Sequence, residues 1–416
     1  MSREEVINRA NAEVIDIFTK GRPVWVDVLP AIEAIPSMTK NMVLVAGPPI
    51  EVQNIVFPVK TSICGAVVYE GLAENIEKAW DMVLEGEIIV RSAQDYNCAC
   101  GAAMATSATM PVIVCEDSVY HGRGFSTPHP GPADKVLRWG YYDESVLENL
   151  VWYRDVFGPA LGEAVRSIGG IDLITVLAKT AGMGDENHVR QLASSMYIEL
   201  RLIEALLDCE QKDAKEVIHA LTANERFFLH AMMAGSEAVI ASAKNVPNSS
   251  VMVGMGGNGV ELGLQFSGTG NEWFTAPAPK ILGSFLSSAY TEEDVVGYLG
   301  DSCVTEVYGL GGFSATAGPS FVRLVGGSYE DACERIERTR AVSLGEHVFA
   351  PIPWDDFRGL PVGIDIRKVV GYNILPVSHG GSTLKTGGQG GAGLAELPME
   401  CFKKGLVALS KKITGV

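Results

Sequence analysis

Residues 184–190 read Gly-Asp-Glu-Asn-His-Val-Arg, which sets two acids, a histidine and an arginine in one short stretch. Asp185 suits a helix N-cap, and Glu186 suits the first helical turn, where a carboxylate meets the positive end of the dipole. His188 and Arg190 need another reason to be there. An arginine at a helix start opposes the dipole, so anion binding and a surface ion pair both stay open for Arg190. Asp301 and Glu306 lie five apart on what reads as a strand, Asp301-Ser302-Cys303-Val304-Thr305-Glu306. On a regular strand they face opposite ways and share one metal only across a bend. Asp365 and Arg367 interrupt the apolar run Ile364–Val370, either as a buried pair or as site residues.

Glycine surrounds these residues. Val251–Val253 is a short apolar run, followed by Gly254-Met255-Gly256-Gly257-Asn258-Gly259. That spacing fits a dinucleotide fingerprint only if a helix opens at the last glycine. Val260, Leu262, Leu264 and Phe266 instead alternate with polar or small residues, the period of a strand. The stretch therefore reads as strand, glycine turn, strand, and neither nicotinamide nor flavin is expected. Two further glycine-rich stretches follow, Gly309–Pro319 with Gly311 and Gly312, and Ser378–Gly393 with His379, Lys385 and Gln389. Successive free N–H groups in such loops can form anion-binding nests, and tight turns in a strand-rich region are the plainer reading.

A polar loop at 120–132 carries His121, Arg123, Ser126 and His129, which could reach a ligand or belong to a solvated connection. The chain has 416 residues and a formal net charge of −17, which argues against nucleic acid and anionic membrane partners. No apolar run reaches membrane-spanning length, and the amphipathic start is unlike a signal peptide, so a cytoplasmic protein is expected. Of the eight cysteines only Cys98 and Cys100 are close, and a lone C-x-C makes no zinc signature. There is no phosphate-binding P-loop, no nucleophile elbow and no H-E-x-x-H.

The elements that must position these residues fall into three segments. Residues 1–165 alternate helices with short apolar strands, as in an α/β domain. Helices are expected over 3–20 and 70–84, with strands at 23–29, 42–46, 88–90 and 112–114. Residues 166–245 form a helical domain within a helical run that starts at 147; helices there are expected over 147–157, 159–168, 171–181, 187–208, 212–221 and 224–244. Residues 246–416 return to strands and glycine and end in a helix over 397–413. The fold class is α/β (α+β), two α/β domains with a central all-helical segment and glycine-rich loops in the C-terminal one.

The whole chain, from about Asn11 to Phe402, resembles the large subunit of the oxamate carbamoyltransferase encoded in bacterial allantoin-degradation clusters. Ala46–Pro49, Gly169–Leu173, Gly184–Glu186 with His188 and Arg190, and Asn258-Gly259 with Glu261–Gly263 carry it. So do Ser267-Gly268, Glu272–Pro277, Gly300–Ser302 with Thr305-Glu306, Ile364–Arg367, Gly388-Gln389 and Gly391–Gly393. The resemblance implies carbamoyl transfer between carbamoyl phosphate and oxamate or a related small anionic ureido acid, companion subunits and magnesium. A homo-oligomer is also expected. Under it, His188, Arg190 and Glu306 are candidate catalytic residues. Asn258, Gly259, Glu261, Gly311, Gly312, Arg367, His379, Lys385 and Gln389 are candidate substrate contacts, and Asp301 and Asp365 candidate metal ligands. The sequence departs from the family pattern at Tyr96–Met104, which has no histidine, at Gly257, where a basic residue is usual, and at His379–Lys385, where a His-Lys is usual. Those departures motivate a second reading, a non-catalytic scaffold or regulatory subunit of such a complex; a third is a transferase using another phosphorylated small molecule.

Overall fold

The computed structural model describes residues 2–128, 136–209 and 213–414. His129 of the polar loop lies outside them. The first helix, Arg3–Lys20, opens with a capping box in which Ser2 and Glu5 satisfy each other's backbone N–H groups. Its inner face buries Val14, Ile17 and Phe18 against the late helix Phe228–Ala243 and the strands Ser343–His347 and Leu360–Ile364. Buried Asn11 accepts from Ser249 and Ser250 and donates to the Ser250 hydroxyl. Ser250 passes on a hydrogen bond to Asp365. One end of the chain is thereby tied to the other.

Pro23–Pro30 and Pro111–Asp117 pair antiparallel at the middle of a five-stranded sheet, completed by Arg123–Ser126, Cys98–Ala99 and Ile171–Asp172. A three-stranded sheet beside it pairs Met42–Val45 with Ile89–Ser92 in parallel and with Ala105–Ser107 antiparallel. The apolar run at 64–69 belongs to a helix, Phe57–Tyr69. The next helix is shorter than its spacing suggests, Ile76–Leu84, because Asn75 caps it by accepting from Lys78 N–H.

The helical run is close to its periodicity: Glu144–Trp152, Gly158–Ser167, Leu173–Thr180, Leu192–Asp208, Ala214–Thr222 and Phe228–Ala243. The helix expected from 187 starts at Leu192 with Gln191 at its N-cap, so Asp185 is not the cap residue; from outside the helix it accepts from Ser194 N–H at 2.8 Å. Phe228–Ala243 is buried along nearly its whole length because the five-stranded sheet, the first helix and its helical neighbours cover it. The main apolar core runs from Ala10 to Phe402 and draws on all three sequence segments, and a second, smaller cluster gathers around Leu44, Val112 and Phe125.

The glycine-rich stretches are mostly regular structure. Met252–Asn258 is a strand through its glycines, paired with Glu261–Phe266. The turn between them is held by the Asn258 carboxamide oxygen, which accepts from Val260 and Glu261 N–H. Ser378–Gly393 forms the hairpin Val377–Thr383 with Gln389–Glu396, and Gly311–Ala317 is a 3₁₀ segment. Their N–H groups are largely engaged in pairing, so the nest reading fails for the two hairpins. Asp301–Glu306 is likewise no strand: the strand Leu299–Gly300 ends there and the chain turns into the helical turn Val304–Val307. Among the described residues no helix is long and apolar enough to cross a membrane. All eight cysteines are free thiols.

Glu237, wholly buried in Phe228–Ala243, has no hydrogen-bond partner among the described residues on either carboxyl oxygen, and Lys244 approaches only to 3.6 Å. Burial pushes its carboxyl up to about 7, against the pull of Lys244. A glutamate in the unfolded chain titrates near 4.3, so between about pH 4.5 and 7 the native state binds more protons and stability falls as pH rises. Glu237→Gln removes that slope. Urea unfolding at pH 5 and pH 8 should show the variant gaining on the wild type, by on the order of 3 kcal/mol at the higher pH. A difference that does not change with pH would remove Glu237 from this role.

Candidate functional site

Two buried glutamates and two histidines form a crossed lattice. Glu306 accepts from His188 Nδ1 at 2.8 Å and from the backbone N–H of His379 at 3.1 Å. Glu186 accepts from His379 Nδ1 at 2.9 Å and from the backbone N–H of His188 at 3.2 Å. Each carboxylate thus holds the ring of one histidine and the backbone of the other. Glu186 also takes the N–H groups of Val189 and Arg190, and Glu306 takes Gly312 N–H and the Ser378 hydroxyl. All four side chains are buried, at most 4% exposed. Carboxyl groups this deeply buried need a rich supply of donors, and both have one.

Glycine makes the lattice possible at one place. Gly311 and Gly312 donate to Glu186 O and to the Glu306 carboxylate. A Cβ on Gly311, at φ +58°, would sit 2.5 Å from the Glu306 carboxyl group. A Cβ on Gly312 would sit 2.4 Å from Val377 O, backbone against backbone. These two glycines are structural, and their N–H groups are not free for a substrate.

The electrostatics follow from the lattice. Burial lowers the pKa of His188, but the charges of Glu306 and Glu186 outweigh it and Arg138 opposes them only in part, so the net direction is up. Burial raises Glu186, while the hydrogen bond and charge of His379 and the charge of His188 bring it below its ordinary value.

Beyond His188 the lattice opens on a cavity. His188 Nε2 lies 2.7 Å from the Ser302 hydroxyl, which is half-buried at its wall. The cavity is lined by Arg138, Trp139, Arg226, Tyr298, Gly380, Gly381 and Gln389, among others. Its free volume is about 30 Å³, room for a very small polar guest. A wider cleft of about 290 Å³ adjoins it and shares Val189 and Arg226. Among the described residues no carboxylate lies within ion-pair distance of Arg138 or Arg226, although the charges of Glu225 and Glu186 attract Arg226. Arg138 stacks over the Trp139 ring at 4.8 Å, and its Nε is buried without a partner. Burial and the like charge of Arg226 press its pKa down, though a guanidinium stays cationic at neutral pH. Two arginines, an imidazole and a hydroxyl around a small cavity are chemically suited to a small anion.

Of the sequence candidates, His188 and Gln389 line this cavity, with Glu306 directly behind His188. Arg190 lines the adjoining cleft with its Nε 3.8 Å from Asp185. His379 is wholly buried in the lattice with Phe321 against its ring, and does not reach the cavity. Asn258 and Gly259 serve the hairpin turn and hold Pro48 O and Tyr298 O. Glu261 bonds Thr275 and borders a separate surface cleft with Pro49 and Glu51. Lys385 is exposed at a hairpin tip beside Asp294. Arg367 is clamped by both oxygens of Asp365 and reaches Asn8, so neither member of that pair is free for a substrate or metal. Asp301 accepts from Gly47 N–H, Gln94 and Cys100 N–H, and burial pushes its carboxyl up to about 8. Of the polar loop, Ser126 is buried in the five-stranded sheet and Arg123 pairs with Glu116. The residues missed from sequence are Ser302, Arg138 and Arg226. The first stood inside a quoted motif, Gly300–Ser302, without being given a role, and the arginines lie in Leu137–Gly140 and Asn224–Phe228 with no pattern marking them.

Residues 88–302 match the family described as oxamate carbamoyltransferase subunit AllG. The chain is 34% identical over 414 residues to the Escherichia coli (strain K12) protein of that name, spanning 98% of each. It is 35% identical over 407 residues to the uncharacterised protein YahG of the same organism, spanning 96% of this chain and 85% of that one. A crystal structure of a conserved protein of unknown function from Enterococcus faecalis V583 superposes with a TM-score of 0.95, at 35% identity and covering 99% of both chains.

Two outcomes are expected from the lattice. Gly312→Ala should destabilise the fold by about 1–3 kcal/mol or more, because the clash is with backbone that cannot swing away; an unchanged urea midpoint would contradict the packing. His188 has a raised native pKa, so its charge stabilises the fold fully below the unfolded value of about 6.5 and loses that effect as pH rises through the native value. The wild type's margin over His188→Gln should therefore be largest near pH 6 and shrink toward pH 9. A constant margin would mean that His188 does not titrate with folding.

Proposed function

The chain belongs to the AllG family of oxamate carbamoyltransferase subunits, and from that membership we propose that its cavity binds the anionic group of a carbamoyl donor or acceptor. The observation that carries this is the convergence of Arg138 and Arg226 on His188 and Ser302. Guanidinium groups hold phosphate and carboxylate through paired N–H donors, and they gain strength where apolar walls such as Trp139 and Leu229 keep water out. The reaction class is carbamoyl transfer between carbamoyl phosphate and oxamate or a related small anionic amide. Arg138 and Arg226 take the charge of the phosphate or carboxylate. His188, backed by Glu306, holds or moves a proton at the reacting carbonyl or nitrogen. Arg190, in the adjoining cleft, lies where a charged substrate would enter.

The tight cavity favours function within an assembly. At about 30 Å³ it must widen toward the neighbouring cleft to admit carbamoyl phosphate. The Escherichia coli relative is named as a subunit, and companion chains here would supply the remaining walls. The residues suggested for magnesium do not fit a protein-held ion. Asp365 is committed to Arg367 and Asp301 to surrounding N–H donors, and among the described residues no three acids, histidines or cysteines group as a metal site. No step is routed through a metal.

Thermal shift with carbamoyl phosphate, oxamate and inorganic phosphate tests the assignment. A ligand at 100 times its Kd stabilises the native state by about 2.7 kcal/mol. Arg138→Gln and Arg226→Gln should each weaken anion binding by roughly 10–100-fold, the loss expected for a charge-assisted hydrogen bond, with little change in stability. Arg367→Gln, outside the cavity, should leave binding unchanged. Equal binding by all variants would sink the assignment.

A further inference from the structure

We propose that Ser302 is a nucleophile that carries the carbamoyl group covalently between donor and acceptor. This rests on the carbamoyl-transfer reading of the same cavity and adds a two-step path to it. The geometry is an unbroken relay: Ser302 Oγ lies 2.7 Å from His188 Nε2, and His188 Nδ1 lies 2.8 Å from Glu306 Oε1. An acid behind a histidine behind a hydroxyl is the arrangement that activates serine for acyl transfer. Ser302 and Glu306 lie four residues apart on one tight turn, so they close on opposite edges of the same imidazole. Glu306 cannot swing away, because Gly312 N–H, His379 N–H and the Ser378 hydroxyl also hold it. Of the three relay residues, Ser302 and His188 line the cavity where the two arginines lie, and Glu306 stands behind them. A serine needed only to satisfy the imidazole would not require that opening.

In the first step Ser302 Oγ bonds to the carbonyl carbon of carbamoyl phosphate and the bond from that carbon to the phosphate oxygen breaks. The serine proton passes to His188 Nε2 and on to the departing phosphate, which leaves with the bonding electron pair beside Arg138 and Arg226. In the second step the acceptor nitrogen attacks the carbamoyl-serine carbon. Its proton passes to His188, which returns one to Ser302 Oγ as that oxygen leaves. Carbamoylated acceptor and free serine result, and no oxidant or reductant is needed.

The test uses the full chain and two donors. Carbamoyl phosphate needs the arginines, whereas p-nitrophenyl carbamate needs only the nucleophile. After acid quench, intact mass and peptide mapping should place one carbamoyl group per chain on the peptide bearing Ser302, from both donors. Ser302→Ala should abolish the label yet keep the stabilisation by inorganic phosphate, which shows that the variant folds. His188→Gln should slow labelling by p-nitrophenyl carbamate by roughly 10²-fold or more, the usual worth of a general base. If neither donor labels Ser302 while phosphate still stabilises the chain, the nucleophile is refuted and the anion site stands. If only the aryl carbamate labels Ser302 and phosphate gives no stabilisation, the nucleophile stands and the carbamoyl phosphate reading falls.

Discussion

The centre of this structure depends on the cost of placing two carboxylates out of water. Glu186 and Glu306 are wholly buried, and an ionised carboxylate in such surroundings is stable only with a nearly full set of donors. The chain supplies them from three places: the segment after the Leu173–Thr180 helix, the turn at Asp301–Gly312, and the strand Val377–Thr383. Because each acid needs both histidines, one through its ring and the other through its backbone, neither contact can be lost alone without leaving a charge uncompensated. A broken pair of this kind costs about 3–5 kcal/mol, a large share of a typical fold's stability.

The same lattice explains why the reactive edge is narrow. His188 spends one ring nitrogen on Glu306 and turns the other to Ser302, so what remains exposed to a substrate is a single hydroxyl and one side of an imidazole. Arg138 and Arg226 come from separate segments and meet at the same cavity, where the charges of Glu225 and Glu186 offset part of the cost of burying Arg226. The buried acids stand behind the imidazole and the two arginines stand in front of it.

How much was legible follows from the range of the signals. Helix positions between 144 and 243 could be read because their apolar spacing is local, and Asp185 read as a cap, though it accepts from Ser194 from outside the helix and is not the cap residue. The glycine stretches misled because glycine marks both open loops and places where two backbones nearly touch, and here the second cause dominates. Arg367 and Asp365 resembled site residues and proved to be a clamp between the two ends of the chain. Arg138 and Arg226 left no local trace, since what distinguishes them is their meeting at one cavity from stretches 88 residues apart. Ser302 lay inside a recognised motif, but its meaning needed His188, which arrives from 114 residues earlier.

That separation has a consequence for how the protein matures. The ring of His188 reaches its acid across 118 residues and that of His379 across 193, so the histidines sit far in sequence from the groups that tune them. While a ribosome is still making the chain, Glu186 and Glu306 exist before His379 does, and they must wait in water. Glu186 gains the ring of His379 only when the last hairpin docks. Long-range closures of this sort fold slowly and late. The buried centre of the molecule is therefore among the last parts of it to close.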